Sequence, residues 1–335
     1  MTAAAATPAA RSSPVRVHVV TGKGGTGKTT LAAALALALA GRGKKILLCE
    51  AEGRQGIAQM FDVPPLPYTE KRVAVASAGG QVYALAIDPE AALMEYLDMY
   101  YKLGRAGKVL DRFGVVDFAT TIAPGLRDVL LTGKVYEAAR RRDKNGDHTY
   151  DALVLDAPPT GRIARFLNVN REVAGLAKVG PIRNQADAIM RLLRSRRTAV
   201  HIAAVLEEMP VQEAVDAIAA LQAADLPVGQ VLVNQVRHSP LPPDCREALA
   251  NGDAPQEATL ASDLAKAGLD GAPGLATALL AEGLDHLVRL DLEDEQQAIL
   301  DQLDTPSVRL PMVPEGIDLG ALYDLGESMR RQGLA

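Results

Sequence analysis

The sequence predicts a doubly wound α/β fold, a mostly parallel sheet with helices on both faces, and three observations predict it. From Val15 onward, short β-branched runs alternate with longer helical stretches, the order that a parallel sheet with crossover helices requires. Several of these runs are apolar throughout rather than alternating, as strands buried on both faces are. The first run also ends in a glycine-rich turn that opens a helix, a junction typical of nucleotide-binding α/β folds.

In chain order the strands are expected at Val15–Val20, Lys45–Cys49, Val82–Ile87, Ala152–Leu155, Ala199–Val205, Gln230–Val233 and Ser307–Leu310. Helices are expected between them at Thr29–Ala40, Pro89–Leu103, Gly125–Arg141, Arg162–Leu176, Val211–Ala223, Gly274–Leu303 and Leu319–Arg331. The stretch from Asp88 to Tyr150 holds no strand and runs for about 60 residues, longer than an ordinary crossover. Helical insertions are therefore expected at about 88–150 and, shorter, at about 171–197, within one domain spanning 15–335. Residues 1–14, rich in Ala, Thr, Ser and Pro, read as a disordered leader without the basic start and apolar run of a signal peptide.

Composition narrows the function. The 335 residues carry 36 Lys and Arg against 41 Asp and Glu, a net charge of −5, so the bulk charge does not attract nucleic acid or anionic lipid. The 2 cysteines, Cys49 and Cys245, form no C-x-x-C pair, which excludes a disulfide scaffold or a cysteine-rich zinc site and fits a reducing cytoplasm. The longest apolar run, Leu31–Ala40, is mostly alanine and far short of the about 20 residues that span a bilayer. No transmembrane segment is expected, so any membrane association would be made through a partner.

The segment Gly22-Lys23-Gly24-Gly25-Thr26-Gly27-Lys28-Thr29 satisfies G-x-x-x-x-G-K-[ST] between an apolar strand and a helix, the context in which that pattern binds phosphate. Its glycines let backbone N–H groups approach phosphate oxygens, and the following helix adds partial positive charge. Lys28 is expected on the β and γ phosphates, and Thr29 on Mg²⁺. Tyr150–Asp156 is an apolar run ending in a carboxylate; Asp156 is expected to support Mg²⁺ through a water or through Thr29.

Lys23 and Thr30 complete K-G-G-x-G-K-T-T, which resembles the deviant phosphate loop of dimeric ATPases, the families of MinD, ParA, nitrogenase iron protein and ArsA. The stretch Asp156-Ala157-Pro158-Pro159-Thr160-Gly161 resembles the second switch of ArsA and of the eukaryotic ATPase that delivers tail-anchored membrane proteins. That resemblance extends from Val15 to about Gly316, and it implies several roles. Lys23 would reach across a dimer interface to the partner's nucleotide, in the manner of an arginine finger. Glu52, in Cys49-Glu50-Ala51-Glu52, stands where relatives carry a water-orienting aspartate, one methylene longer. Asn234, in Val231-Leu232-Val233-Asn234-Gln235, would offer adenine a donor and an acceptor. Pro311, in Leu310-Pro311-Met312-Val313-Pro314-Glu315, would belong to the loop that covers the base. Ala86–Pro89 and Ala123–Leu126 match shorter family signatures. Those families continue the second switch with histidine, where this chain has Arg162.

The resemblance thus implies a Mg·ATP-hydrolysing dimer, with itself or with a related ATPase, that handles a transport partner or a hydrophobic client. The alternatives are a ParA- or MinD-type partition or positioning ATPase, and a nucleotide-binding assembly protein with little turnover. Two basic clusters, Arg140–Arg142 and Arg191–Arg197, read as solvated helix ends rather than a nucleic-acid surface. Asp143–Asp147 opens like a calcium loop, but its twelfth position is Val154, so a turn is expected. Leu93–Tyr101 is apolar on more than one side and could pack on the sheet or line a groove. The terminal helix reads as a closing helix, because Asp318, Asp324 and Glu327 oppose the basic face that a membrane anchor needs.

Overall fold

The computed structural model describes residues 15–101, 125–176, 181–253 and 255–335. The leader 1–14 and residues 102–124 of the first expected insertion lie outside the described residues, as do the end of the Pro89–Leu103 helix and the first half of the Ala123–Leu126 signature.

Eight strands form one sheet: β1 (Val17–Gly22), β2 (Lys45–Glu50), β3 (Lys71–Val75), β4 (Gln81–Ala86), β5 (Ala152–Asp156), β6 (Thr198–Ala204), β7 (Val228–Val236) and β8 (Ser307–Pro311). Their order is β3-β4-β2-β5-β1-β6-β7-β8, and every pairing is parallel except β3 with β4. The chain runs from β1 to β2, out to the edge strand β3, back through β4 beside β2 to β5 beside β1, and then builds β6, β7 and β8 on the other side. Direction reverses around β1, so a crevice opens at its C-terminal end.

The sequence reading anticipates seven of these strands and misses β3. That strand is a short antiparallel edge, with Lys71, Arg72 and Val75 exposed and only Ala74 buried. It lacks the continuous apolar run by which the others are recognised. The segments β1, β2, β5 and β6 are buried along essentially their whole length.

Helices cover both faces. On one lies α1 (Lys28–Ala40), in which Leu31–Ala40 are all buried. Alanine and leucine are the strongest helix formers, and a helix apolar all round must be enclosed. The terminal helix α11 (Leu319–Arg331) encloses it, burying Leu322, Leu325 and Met329, while Gly326 sits so close to the Ala34 carbonyl that a Cβ there would lie 2.9 Å from it. The closing role expected of this helix follows from that contact.

On the other face pack α4 (Leu126–Arg140), α5 (Thr160–Leu176), α6 (Pro181–Leu193) and α7 (Glu208–Ala223). An ionic network ties α4 to the edge of the sheet. Arg141 bonds both Glu137 and Glu70, the Tyr150 hydroxyl donates to Glu70 at 2.6 Å, and Lys134 bonds Glu95 of α3 (Pro89–Tyr101) at 2.8 Å. The long α10 (Ala272–Asp301) carries exposed Leu284, Val288, Leu292 and Ile299. Among the described residues no helix is long and apolar enough to cross a membrane.

Candidate active site

Gly22, Glu50, Asp156, Asn234 and Pro311 end or nearly end β1, β2, β5, β7 and β8, so the topology gathers five separate sequence segments at one edge of the sheet. The loop leaving β1 turns through Gly25 and Gly27, with φ of +90° and +82°, values that non-glycine residues rarely adopt. At Gly27 a Cβ would also run into Asn234 Nδ2. The loop then feeds α1, with N–H groups at the start of that helix left free for an anion.

Within this loop the side chains hold one another. Thr26, buried, donates through Oγ1 to the Lys23 carbonyl at 2.9 Å. The Lys28 ammonium folds over the loop, with Nζ 3.4 Å from the same carbonyl. Gly24 has open space where a side chain would stand. Thr30 Oγ1 lies against Met60 Sδ at 3.6 Å. Asn234 donates from Nδ2 to the Thr26 carbonyl at 3.0 Å. One amide proton of Asn234 is thus spent on the phosphate loop. Pro311 is exposed and pairs with Val236.

The Thr29 hydroxyl donates to Asp156 Oδ2 at 2.7 Å. Glu50 stands beside Asp156 in register on the adjoining strand. Both are nearly buried, at 2% and 7% exposure. Glu50 Oε1 accepts from the Gly56 N–H at 3.2 Å, while Oε2 is buried without a hydrogen-bond partner. Burial pushes the Asp156 carboxyl up to about 6, against the Thr29 hydrogen bond and the Lys28 charge, with Glu50 and Glu52 adding to the rise. Glu52 itself is a quarter exposed and lies 3.7 Å from Arg54.

This donor set fits magnesium. Its groups are hard oxygens, a buried carboxylate oxygen lacks a partner, and the local charge is short of a cation. Magnesium characteristically takes one or two carboxylates and completes its shell with water and phosphate.

Three contributors have no role in the sequence reading. Glu50 is one; counting strand register from Asp156 places it beside that carboxylate. The second is Glu213 on α7, which holds Lys23 by an ion pair of 2.9 Å and accepts from the Thr160 hydroxyl at 2.9 Å. The hydrogen bond from Lys23 is the main cause that holds the Glu213 carboxyl below its ordinary value. A single carboxylate therefore joins the first lysine of the loop to the P-T-G segment. The third is the start of α4. Arg127 donates to the Ala51 carbonyl at 3.3 Å, and Asp128 lies 3.5 Å from Arg162. The arginine that replaces the family histidine thus reaches the start of α4, and the same helix end touches the segment after β2.

Comparison with known proteins agrees with this geometry. The profile of the ArsA ATPase family, described as anion-transporting ATPase, matches residues 15–196. The ATPase BagA of Mycobacterium tuberculosis is 53% identical over 324 residues, covering 97% of this chain and 95% of that protein. The arsenical pump-driving ATPase of Escherichia coli is 29% identical over 240 residues, 64% of this chain and 38% of its own. ATPase GET3 of Kluyveromyces lactis is 27% identical over 187 residues, 52% of each. With its phosphate loop and switch segments gathered at the C-terminal edge of a parallel sheet, this chain belongs to the anion-transporting ATPase family.

Proposed function

We propose that this chain is a Mg·ATP-hydrolysing switch that works as a dimer, with itself or with a related second chain, and couples its nucleotide state to a transport partner or a hydrophobic client. The observation that carries the reading is the convergence of Lys28, Thr29, Asp156 and Glu50 on the crevice beside β1. A pump-driving relative supports the transport branch.

In this reading Lys28, Gly24, Gly25, Gly27 and the loop amides hold the triphosphate, and Asn234 and Pro311 flank the base. Thr29 and Asp156 hold magnesium, with Glu50 within reach, and bound magnesium offsets the charge of the phosphate oxygens. Glu52 orients the attacking water by geometry. Lys23 rests on its own Glu213, so its transfer to a partner's nucleotide requires that pair to open. Thr160 shares Glu213 with Lys23, which links movement of the P-T-G segment to release of the lysine. Arg162 with Asp128, and Arg127 with Ala51, pass the same movement to α4.

Residues 15–335 act as one ATPase domain in this reading, and the insertions at about 88–150 and 171–197 supply the partner surface. The protein works in the cytoplasm and meets a membrane only through its partner. Steady-state ATP turnover with magnesium tests the enzyme assignment. Lys28→Ala should lower turnover about 10²–10³-fold, the loss expected when a preorganised charge is removed from a developing oxyanion. Unchanged turnover in that variant removes the assignment. Tight ATP binding with no turnover in the wild type selects the assembly-protein alternative.

A further inference from the structure

We infer that the N-terminal edge of the sheet carries a second binding site, for a small anion bearing two or more phosphate groups. The site is a pocket of about 660 Å³ lined by Arg16, Arg140, Arg142, Arg191, Arg197 and His148. It lies where β1, β5 and β6 begin, opposite the edge that holds the phosphate loop, and about 20 Å from it by the rise of a six-residue strand.

The fold builds this site from segments far apart in the chain. Arg16 precedes β1, Arg140 ends α4, Arg191 lies in the last turn of α6, and Arg197 precedes β6. Arg142 and His148 face each other across an antiparallel bridge. The bridge closes over the Asp143–Asp147 turn, where Asp143 Oδ1 accepts from the N–H groups of Asn145 and Asp147. The segment that opens like a calcium loop is thus a turn whose aspartate is occupied by backbone.

None of these five arginines forms an ion pair among the described residues, and no carboxylate lines the pocket. That is unusual in a chain with more acidic than basic residues. Arg141 and Arg194, interleaved in the same segments, do find carboxylates, in Glu70, Glu137 and Asp225. The pairing is selective: the pocket's arginines meet only neutral groups, Arg16 the Tyr150 and Asp151 carbonyls, Arg140 the Tyr136 hydroxyl and ring, and Arg142 the Gly146 carbonyl.

The cluster also bears the strain of like charge. Burial and then Arg197 depress the Arg16 guanidinium, with Asp151 opposing and Arg142 adding. Arg16 is held there by the Tyr150 carbonyl at 2.7 Å and the Asp151 carbonyl at 3.3 Å, while the Asp151 carboxylate accepts from the Lys45 N–H at 2.8 Å. Burial, then Arg16 and Arg142, keep His148 low, and its Nδ1 is buried without a partner.

Guanidinium forks match phosphate oxygens in pairs and bind them more strongly than neutral donors do. The volume falls in the range of about 300–1,000 Å³ that holds small molecules. A concave ring of arginines on a chain of net charge −5 favours a compact polyanion over an extended nucleic acid, for which a basic stripe would be expected.

Calorimetric titration with inorganic tripolyphosphate tests this, performed throughout in a Lys28→Ala background to weaken the phosphate loop's own contribution. Saturable binding is expected to persist there. Arg142→Ser with Arg191→Ser should weaken it about tenfold or more, since each removes a charge-assisted contact. Arg191→Ser alone, on an exposed helix position, should weaken it less, and Arg289→Ser on α10 should not change it. Flotation with cardiolipin vesicles that depends on the same two arginines identifies a lipid headgroup as the source of the phosphates. Tripolyphosphate binding without flotation identifies a free phosphate compound. No binding in the Lys28→Ala background, or binding indifferent to Arg142 and Arg191, overturns the site. So does arginine-dependent retention of duplex DNA without saturable tripolyphosphate binding.

Discussion

The two edges of the sheet treat positive charge in opposite ways. At the C-terminal edge each lysine is engaged by the fold, Lys23 by Glu213 and Lys28 by the Lys23 carbonyl, beside buried Asp156 and Glu50. At the N-terminal edge five arginines share a pocket with no carboxylate in its lining. The difference teaches that a cation awaiting chemistry can be parked on a carboxylate and released, whereas a cation cluster left unneutralised creates a standing potential for an anion. The first arrangement suits a switch, and the second suits a fixed site.

The largest expected effect breaks or upholds the first half of that comparison. If Lys23 is parked until it acts on a partner's nucleotide, Lys23→Ala should keep ATP affinity within a few-fold and lower turnover about 10³-fold or more, as loss of an arginine finger does. Equal losses in affinity and turnover would make Lys23 an ordinary loop cation. The matching control is Arg142→Ser with Arg191→Ser, which should leave turnover unchanged because these residues lie at the opposite edge.

Between the edges, a buried histidine pair offers a pH-dependent measure of the sheet itself. His18 Nδ1 and His201 Nε2 are 3.1 Å apart, and His201 Nδ1 accepts from the Gln230 N–H. That bond leaves the His201 proton on Nε2, donated to His18. Burial lowers the two rings to about 4 and about 3. Because the folded values lie below the unfolded one, near 6.5, the unfolded chain binds more protons in acid. Stability is fully present above about pH 6.5 and falls with pH toward the folded values. Urea unfolding should lose about 2–3 kcal/mol between pH 7.5 and pH 5.5, the sum over two such groups. The double change His18→Asn and His201→Asn should flatten that slope. A slope unchanged in the double variant would assign it elsewhere.

Two smaller effects sharpen the account of the phosphate loop. Asn234→Ala removes the buried bond to the Thr26 carbonyl, and ATP affinity should fall about tenfold, the worth of one well-placed hydrogen bond. Glu213→Ala frees Lys23, and because that pair is about one-third exposed, basal turnover should rise only about two- to fivefold. A fall in turnover instead would make Glu213 part of the catalytic arrangement and not a resting place.

How much of this was legible in the sequence divides along the same line. The phosphate loop and the D-x-x-P-T-G segment are contiguous, because backbone amides and a strand end must come from one stretch of chain, so they could be read directly. Most strands were legible from continuous apolar runs; β3 was not, since an exposed edge strand has no such run. Glu50 and Glu213 were not recognised because their roles arise from register and from helix placement. The two basic clusters were visible but read as separate solvated helix ends. Only the hairpin at Arg142–His148 and the neighbouring starts of β1 and β6 bring them to one pocket.

The central claim is that the loop after β1 holds a magnesium-bound triphosphate by Lys28 and its amides. Calorimetric titration with Mg·ATP tests it most directly. The account predicts one saturable site per chain, weakened about 10²-fold or more by Lys28→Ala, the scale of a lost charge-assisted contact pair. Identical heats and affinity in the wild type and in Lys28→Ala would contradict it.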